Sequence, residues 1–193
     1  MPDEVRMKVA VLGAGGLGKA AARIMSLKRE ISLQAICDSR GVVSSAAGLP
    51  GELIAGVSGD LVEGCRHLQG AVPPPVCHAN GRGQSGTQTF YGAAEDGPET
   101  GGGMTAVEAR HCDDPIGEIL AMAPALDGVL VALPNLPNAF IPGVIERFAE
   151  ADVPLVFVDV LKRTRAVEQL FALDPLVKRA RSVVMTGCGA TPG

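Results

Sequence analysis

The chain has 193 residues, 47% of them hydrophobic and 20% charged, with a formal net charge of -4, which suits one well-buried domain and would crowd two. A mildly acidic balance gives no electrostatic reason to expect nucleic acid or an anionic membrane as partner, and 3% aromatics with no Trp leave no platform for stacking bases. No segment approaches the roughly 18 consecutive apolar residues of a membrane helix, and five scattered cysteines at Cys37, Cys65, Cys77, Cys112 and Cys188 fit free thiols in a reducing compartment, so a cytoplasmic protein is expected.

Residues 7 to 12 are a short aliphatic run that ends in glycines. Lys19 to Leu27 then combines Ala, Met, Ile and Leu with good helix formers, which reads as strand, turn and helix. Ile31 to Cys37 (ISLQAIC) predicts a second strand, and the first 38 residues form a βαβ unit with a right-handed crossover. Further on, Gly128 to Leu133 is a nearly continuous hydrophobic run ended by Pro134, as buried parallel strands are. Ala139 to Ala151 has a helical pattern, Pro154 to Val160 (PLVFVDV) reads as a buried strand, Thr164 to Leu173 as a helix, and Ser182 to Thr186 as a last strand. This alternation predicts an α/β fold with a doubly wound parallel sheet of Rossmann type.

Between about Asp60 and Asp113 the pattern dissolves. Residues 70 to 104 are rich in Gly, Pro and small polar side chains, a composition that buries too little apolar area to offset its ordering entropy. Residues 60–112 are therefore expected to be a flexible insertion in a single dinucleotide-binding domain, 1–193. The terminal glycine-rich loop Gly187 to Gly193 follows a strand and meets no helix. That pattern predicts the N-terminal portion of a longer protein whose C-terminal substrate and dimerisation domain is missing.

The turn after the first strand carries Gly13, Gly15 and Gly18 in a G-x-G-x-x-G spacing, with Asp38 about 20 residues on, where a dinucleotide fingerprint has its ribose-binding acid. Gly13 permits the tight turn, Gly15 clears the pyrophosphate, and Gly18 lets helix and strand pack. The N–H groups of the first helical turn, around Gly16 and Leu17, would meet the phosphates. Asp38 suits the ribose hydroxyls of NAD, whereas Ser39 and Arg40 suit a 2′-phosphate, so the sequence is compatible with NAD and with NADP. Leu133, Pro134 and Asn135 follow the next parallel strand and should face the nicotinamide half; a plain Pro-Asn turn with Asn135 or Asn138 as helix N-cap explains them equally.

Lys162 stands just past the strand PLVFVDV, followed by Arg163 and Arg165. Neighbouring cations and partial desolvation both disfavour a charged lysine, and a neutral amine attacks carbonyls. From spacing alone, a solvated basic turn or a clamp for a substrate carboxylate accounts for the same residues. Asp159 would be buried or near the crevice, orienting Lys162 or satisfying backbone donors. The pairs Cys65 and His67, Cys77 and His78, and His111 and Cys112 fit no usual zinc spacing, and no metal is expected. Cys188 lacks a local base and reads as a small packing residue.

Taken together, VAVLGAGGLGKAA, ICDSRGVV, VLVALPNLPN, VFVDVLKRT and GCGATPG resemble the BioU family, single-turnover (S)-8-amino-7-oxononanoate synthases of biotin synthesis. That family is similar in fold to saccharopine dehydrogenase-like and dihydrodipicolinate reductase-like oxidoreductases. The resemblance covers residues 7 to 59 and 113 to 193; its glycine motif is generic, while the lysine after the strand and the terminal loop are more specific. It implies that the Lys162 amine condenses with the ketone of 8-amino-7-oxononanoate, that NAD(P)H reduces the imine, and that bicarbonate or carbon dioxide carboxylates the substrate's own amine. Reoxidation by NAD(P)+ and hydrolysis then release a diaminononanoate carbamate and leave Lys162 as an aldehyde. It also implies a homo-oligomer when full length. A conventional NAD(P)-dependent amino-acid or imine dehydrogenase and a non-catalytic dinucleotide sensor are the alternatives.

Overall fold

A computed structural model describes residues 6–71, 107–160 and 163–188, with side chains omitted for 68–71. Strand β1 (Met7–Leu12) leads through the glycine turn into helix α1 (Gly16–Ser26) and returns as β2 (Ile31–Cys37), as the apolar runs predict. β1 and β2 pair in parallel. A three-residue turn, Asp38 to Arg40, then reverses the chain into β3 (Gly41–Ser44), antiparallel to β2. Helices α2 (Gly51–Gly56) and α3 (Leu61–Ala71) follow. Edge strand β4 (Glu108–His111) pairs antiparallel with β3.

Helix α4 (Pro115–Met122) and a 3-10 turn (Ala123–Ala125) precede β5 (Gly128–Val131). Then come α5 (Phe140–Glu150), β6 (Val156–Asp159), α6 (Thr164–Ala172), α7 (Asp174–Arg179) and β7 (Val183–Met185). In this second half β5, α5, β6, α6 and β7 follow as expected, whereas α4, the 3-10 turn and α7 were not predicted. The seven strands lie in the order β4-β3-β2-β1-β5-β6-β7, with β2, β1, β5, β6 and β7 all parallel. The doubly wound sheet is therefore present, extended by an antiparallel β3-β4 edge that the sequence did not announce. Helix α3 and strand β4 also lie inside the span 60–112 expected to be a flexible insertion, so its ends are regular structure. Residues 72–106, including Cys77 and His78, lie outside the described residues.

Alternation along the strands divides the core between two sheet faces. On one, Leu12, Cys37, Val131 and Phe157 meet Ile119 of α4 and Ile141, Ile145 and Phe148 of α5. Phe148 and Phe157 pack edge to face, with centroids 5.5 Å apart at 74°, a favourable ring geometry. On the other face Val11, Leu33, Ile36 and Val43 meet Ala22 of α1, Ile54 of α2, and Leu61 and Cys65 of α3. By register Val156, Val158, Val183 and Met185 belong to this second face. There the last two remain about half exposed, at 53% and 51%.

Asp114 starts α4. Its Oδ1 accepts from the Gly117 N–H at 3.0 Å, and Oδ2 accepts from Arg147 of α5 at 2.6 Å. The Arg147 guanidinium first, then the Gly117 N–H, hold its carboxyl below the usual value. A carboxyl depressed in the folded state stabilises above its unfolded pKa, and the contribution disappears as pH falls through the folded value. Asp114→Ala should therefore cost about 1 kcal/mol at neutral pH, the usual effect of losing an N-cap. The gap from the parent in urea unfolding should close below about pH 4.

Candidate functional site

The chain leaves β1 to one side through α1 to β2, and reaches the other side through α4 to β5. The sheet order thus reverses between β1 and β5, and open α/β sheets bind ligands beyond the carboxyl ends of strands at such a point. The parallel strands β1, β2, β5 and β6 all end there.

Backbone bonds fix the glycine turn. The Gly13 N–H donates to Cys37 O at 2.9 Å, and the Ala132 N–H donates to Leu12 O at 2.8 Å, so the turn is tied to the ends of β2 and β5. Gly13 has φ +108°, and a Cβ there would stand 2.5 Å from the carbonyl oxygen of Ala132. Both the left-handed backbone and the close approach require glycine. At Gly18 a Cβ would fall onto the carbonyl oxygen of Gly13, so helix and turn touch backbone to backbone.

Gly15 is different. It is the N-cap of α1 with φ -71° and ψ -174°, a conformation any residue adopts. A Cβ there would meet nothing within 4 Å. The fold does not need this glycine, yet it opens space directly before a helix of 11 residues that has no side-chain cap and no acid in its first turn. Unpaired N–H groups beside an open cradle form an anion site. Gly15, Gly16 and Leu17 are exposed at its rim. The glycine fingerprint therefore fits a pyrophosphate, and the Rossmann-type fold is compatible with a nucleotide cofactor.

At the end of β2, Asp38 Oδ1 accepts from the N–H groups of Arg40 at 2.7 Å and Gly41 at 3.1 Å. This closes the β2–β3 turn. Its second oxygen has no partner among the described residues. Ser39 and Arg40 are exposed, but the Arg40 guanidinium turns away to Asp60, Nη1 to Oδ2 at 3.3 Å. Asp60 begins α3 and accepts from the Glu63 N–H at 3.0 Å. Sequence reasoning passed over Asp60, although an acid followed three residues later by Glu63 is a helix-start signature.

Beyond β5, Leu133 is half-buried, and Pro134 and Asn135 are exposed at the crevice. The alternative reading of an Asn N-cap is not what forms: α5 is preceded by Ala139 without a side-chain cap. Asn138 instead presents Oδ1 to Arg163 Nη1 at 3.1 Å. Arg163 thus joins the loop after β6 to the loop after β5, whereas Arg165 is exposed. Lys162 lies outside the described residues. On its N-terminal side, the Val160 N–H reaches Val131 O at 3.4 Å. Asp159 is fully buried, as one of its readings required. Its Oδ2 accepts from Thr186 Oγ1 at 3.3 Å, and its carbonyl accepts from the Cys188 N–H at 3.1 Å.

Cys188 corrects an expectation: it is exposed, with Sγ facing the carbonyls of Met185 and Thr186 at 3.7 and 3.9 Å, and is no packing residue. The loop turns outward after Thr186, at Gly187 with φ +76°. Burial pushes the Cys37 thiol up to about 12 and the Cys65 thiol up to about 11. Since the thiolate is the reactive form, an alkylating reagent at about pH 8 should label Cys188 quickly. Cys37 and Cys65 should be labelled only on unfolding, as peptide mapping would show. No group of three or more His, Cys, Asp or Glu among the described residues is arranged to hold a metal, and no described helix is long and apolar enough to cross a membrane.

These features define a Rossmann-type α/β domain with a glycine turn at its topological switch point. No family model matches the chain. The chain is similar to the protein named (S)-8-amino-7-oxononanoate synthase BioU of Haloferax mediterranei, 35% identical over 192 residues, covering 99% of this chain and 50% of that one. The similarity runs along nearly the whole of this chain, which spans about half the length of this curated relative.

Proposed function

We propose that this chain is the cofactor-binding part of a biotin-synthesis enzyme. In this reading Lys162 gives its amine to 8-amino-7-oxononanoate while the substrate's own amine is carboxylated from bicarbonate, giving a diaminononanoate carbamate. The observation that carries the reading is the β1–β5 switch point, where α1 begins at Gly15 without a side-chain cap and where β6, the strand before Lys162 in the sequence, also ends. On either side of Lys162 in the sequence, Val160 and Arg163 are bonded to Val131 and Asn138. Similarity to a protein named as an (S)-8-amino-7-oxononanoate synthase supplies the substrate.

Bound in the crevice, NAD(P)H supplies hydride and NAD(P)+ accepts it. The chain's own groups do the rest. Gly15 and the N–H groups of the first turn of α1 hold the pyrophosphate, Asp38 the ribose, and Leu133, Pro134 and Asn135 border the nicotinamide half. Arg163 is engaged with Asn138, so its part is to fix the mouth of the crevice and raise the local positive potential. That potential favours a neutral, nucleophilic Lys162 amine and attracts the substrate carboxylate. In this reading the enzyme works as a homo-oligomer in the cytoplasm.

The test is intact mass and peptide mapping of the chain joined to the half of its curated relative that it does not span. It is incubated with 8-amino-7-oxononanoate, bicarbonate and NAD(P)H, and then NAD(P)+. Conversion of the Lys162 amine to an aldehyde lowers the mass by about one unit, with at most one product per chain. An unmodified Lys162 alongside many turnovers favours the conventional dehydrogenase instead.

A further inference from the structure

We propose that Asp60 is a positioning residue that makes the dinucleotide site prefer NADH to NADPH, by holding the Arg40 guanidinium away from the ribose 2′ position. The inference rests on the reading of the β1–α1 turn as a dinucleotide site and adds a determinant of which dinucleotide it takes. Arg40 is the one cation in the turn after β2, where a 2′-phosphate would seek a guanidinium. Its backbone is clamped: the Asp38 N–H donates to Gly41 O at 3.1 Å, the Arg40 N–H to Asp38 Oδ1 at 2.7 Å, and the Arg40 carbonyl accepts from the Cys112 N–H at 3.1 Å. Only the side chain can choose a partner, and it chooses Asp60 at 3.3 Å.

Asp60 is well placed to hold it. Its side chain is 17% exposed, Oδ1 is fixed by the Glu63 N–H, and Oδ2 is left to face Arg40. That N–H, above all, holds the carboxyl below its usual value, so it stays ionised. Nearby charges do not replace Arg40. Arg66 is turned to Ala109 O and Glu63, and His111 faces Glu63 at 3.3 Å and Asp60 at 3.7 Å. A 2′-phosphate would therefore meet the Asp38 carboxylate and an already paired guanidinium, whereas a 2′-hydroxyl can donate to Asp38 Oδ2.

The decisive variant is Asp60→Asn, because Asn caps a helix about as well as Asp but cannot hold a cation. Binding of NADH and NADPH is titrated directly by dihydronicotinamide fluorescence, without substrate. The parent should bind NADH more tightly. Asp60→Asn should raise NADPH affinity about fivefold relative to NADH, the scale of releasing an exposed ion pair. Adding Arg40→Ala to Asp60→Asn should cancel that gain, and Asp60→Glu should stay near the parent. A loosened α3 would weaken both dinucleotides alike and leave the ratio unchanged. An unchanged ratio, or a parent that binds NADPH as tightly as NADH, overturns the role of Asp60 while the site stands. A parent that binds neither dinucleotide overturns the site reading and this inference with it.

Discussion

Gly15→Leu is expected to keep the fold and lose the dinucleotide. The backbone at Gly15 is in an ordinary extended region, and an added Cβ touches nothing. Stability should change by no more than about 0.5 kcal/mol, the usual range for a substitution in open space. The leucine would nevertheless fill the ground before the first N–H groups of α1, where a pyrophosphate has to approach. NADH affinity should fall by about a hundredfold, as if the charge-assisted bonds to the phosphates were removed. Gly18→Val is expected to do the opposite kind of damage. Its Cβ has no room beside the Gly13 carbonyl, and the turn is already bonded to β2 and β5. Overpacking of a rigid contact should cost roughly 3 kcal/mol or more. Thermal melting without ligand and NADH titration, run on both variants, separate the two roles. If Gly15→Leu bound NADH like the parent, the cradle before α1 would not be a phosphate site.

The contrast between these glycines shows where sequence reading reaches and where it stops. The spacing of Gly13, Gly15 and Gly18 between a strand and a helix is a local signal, and β1, α1 and β2 follow from it with their limits nearly as expected. Strands β5 and β6 and helices α5 and α6 were legible for the same reason, since each carries its own apolar period. Strand β4 was not: Glu108, Ala109, Arg110 and His111 have no apolar alternation, and the strand exists because β3 offers it an edge. Helix α3 was obscured by Gly64 and Gly70, although Leu61, Val62 and Cys65 pack against the sheet. Pairs such as Arg40 with Asp60 and Arg163 with Asn138 join segments more than 15 residues apart through side chains alone. Their partners are set by the way β2, α3, β5 and β6 converge, which no short window contains.

Lys162→Arg is expected to abolish product formation outright, while NADH binding and thermal stability stay near those of the parent. Arginine keeps the positive charge of the loop, but its delocalised guanidinium stays protonated at any working pH, so it forms no imine with a ketone. A lysine serving only as a general acid would leave a slower, multiple-turnover enzyme after the same change, because removing a proton-transfer group typically costs about a hundredfold to ten-thousandfold. The source of the nitrogen gives a second, independent distinction. Protein grown on lysine carrying heavy nitrogen at its side-chain amine should deliver that label to the diamine product, one atom per chain, and the aldehyde left at residue 162 should contain none. Unlabelled product in excess of the protein would sink the sacrificial role.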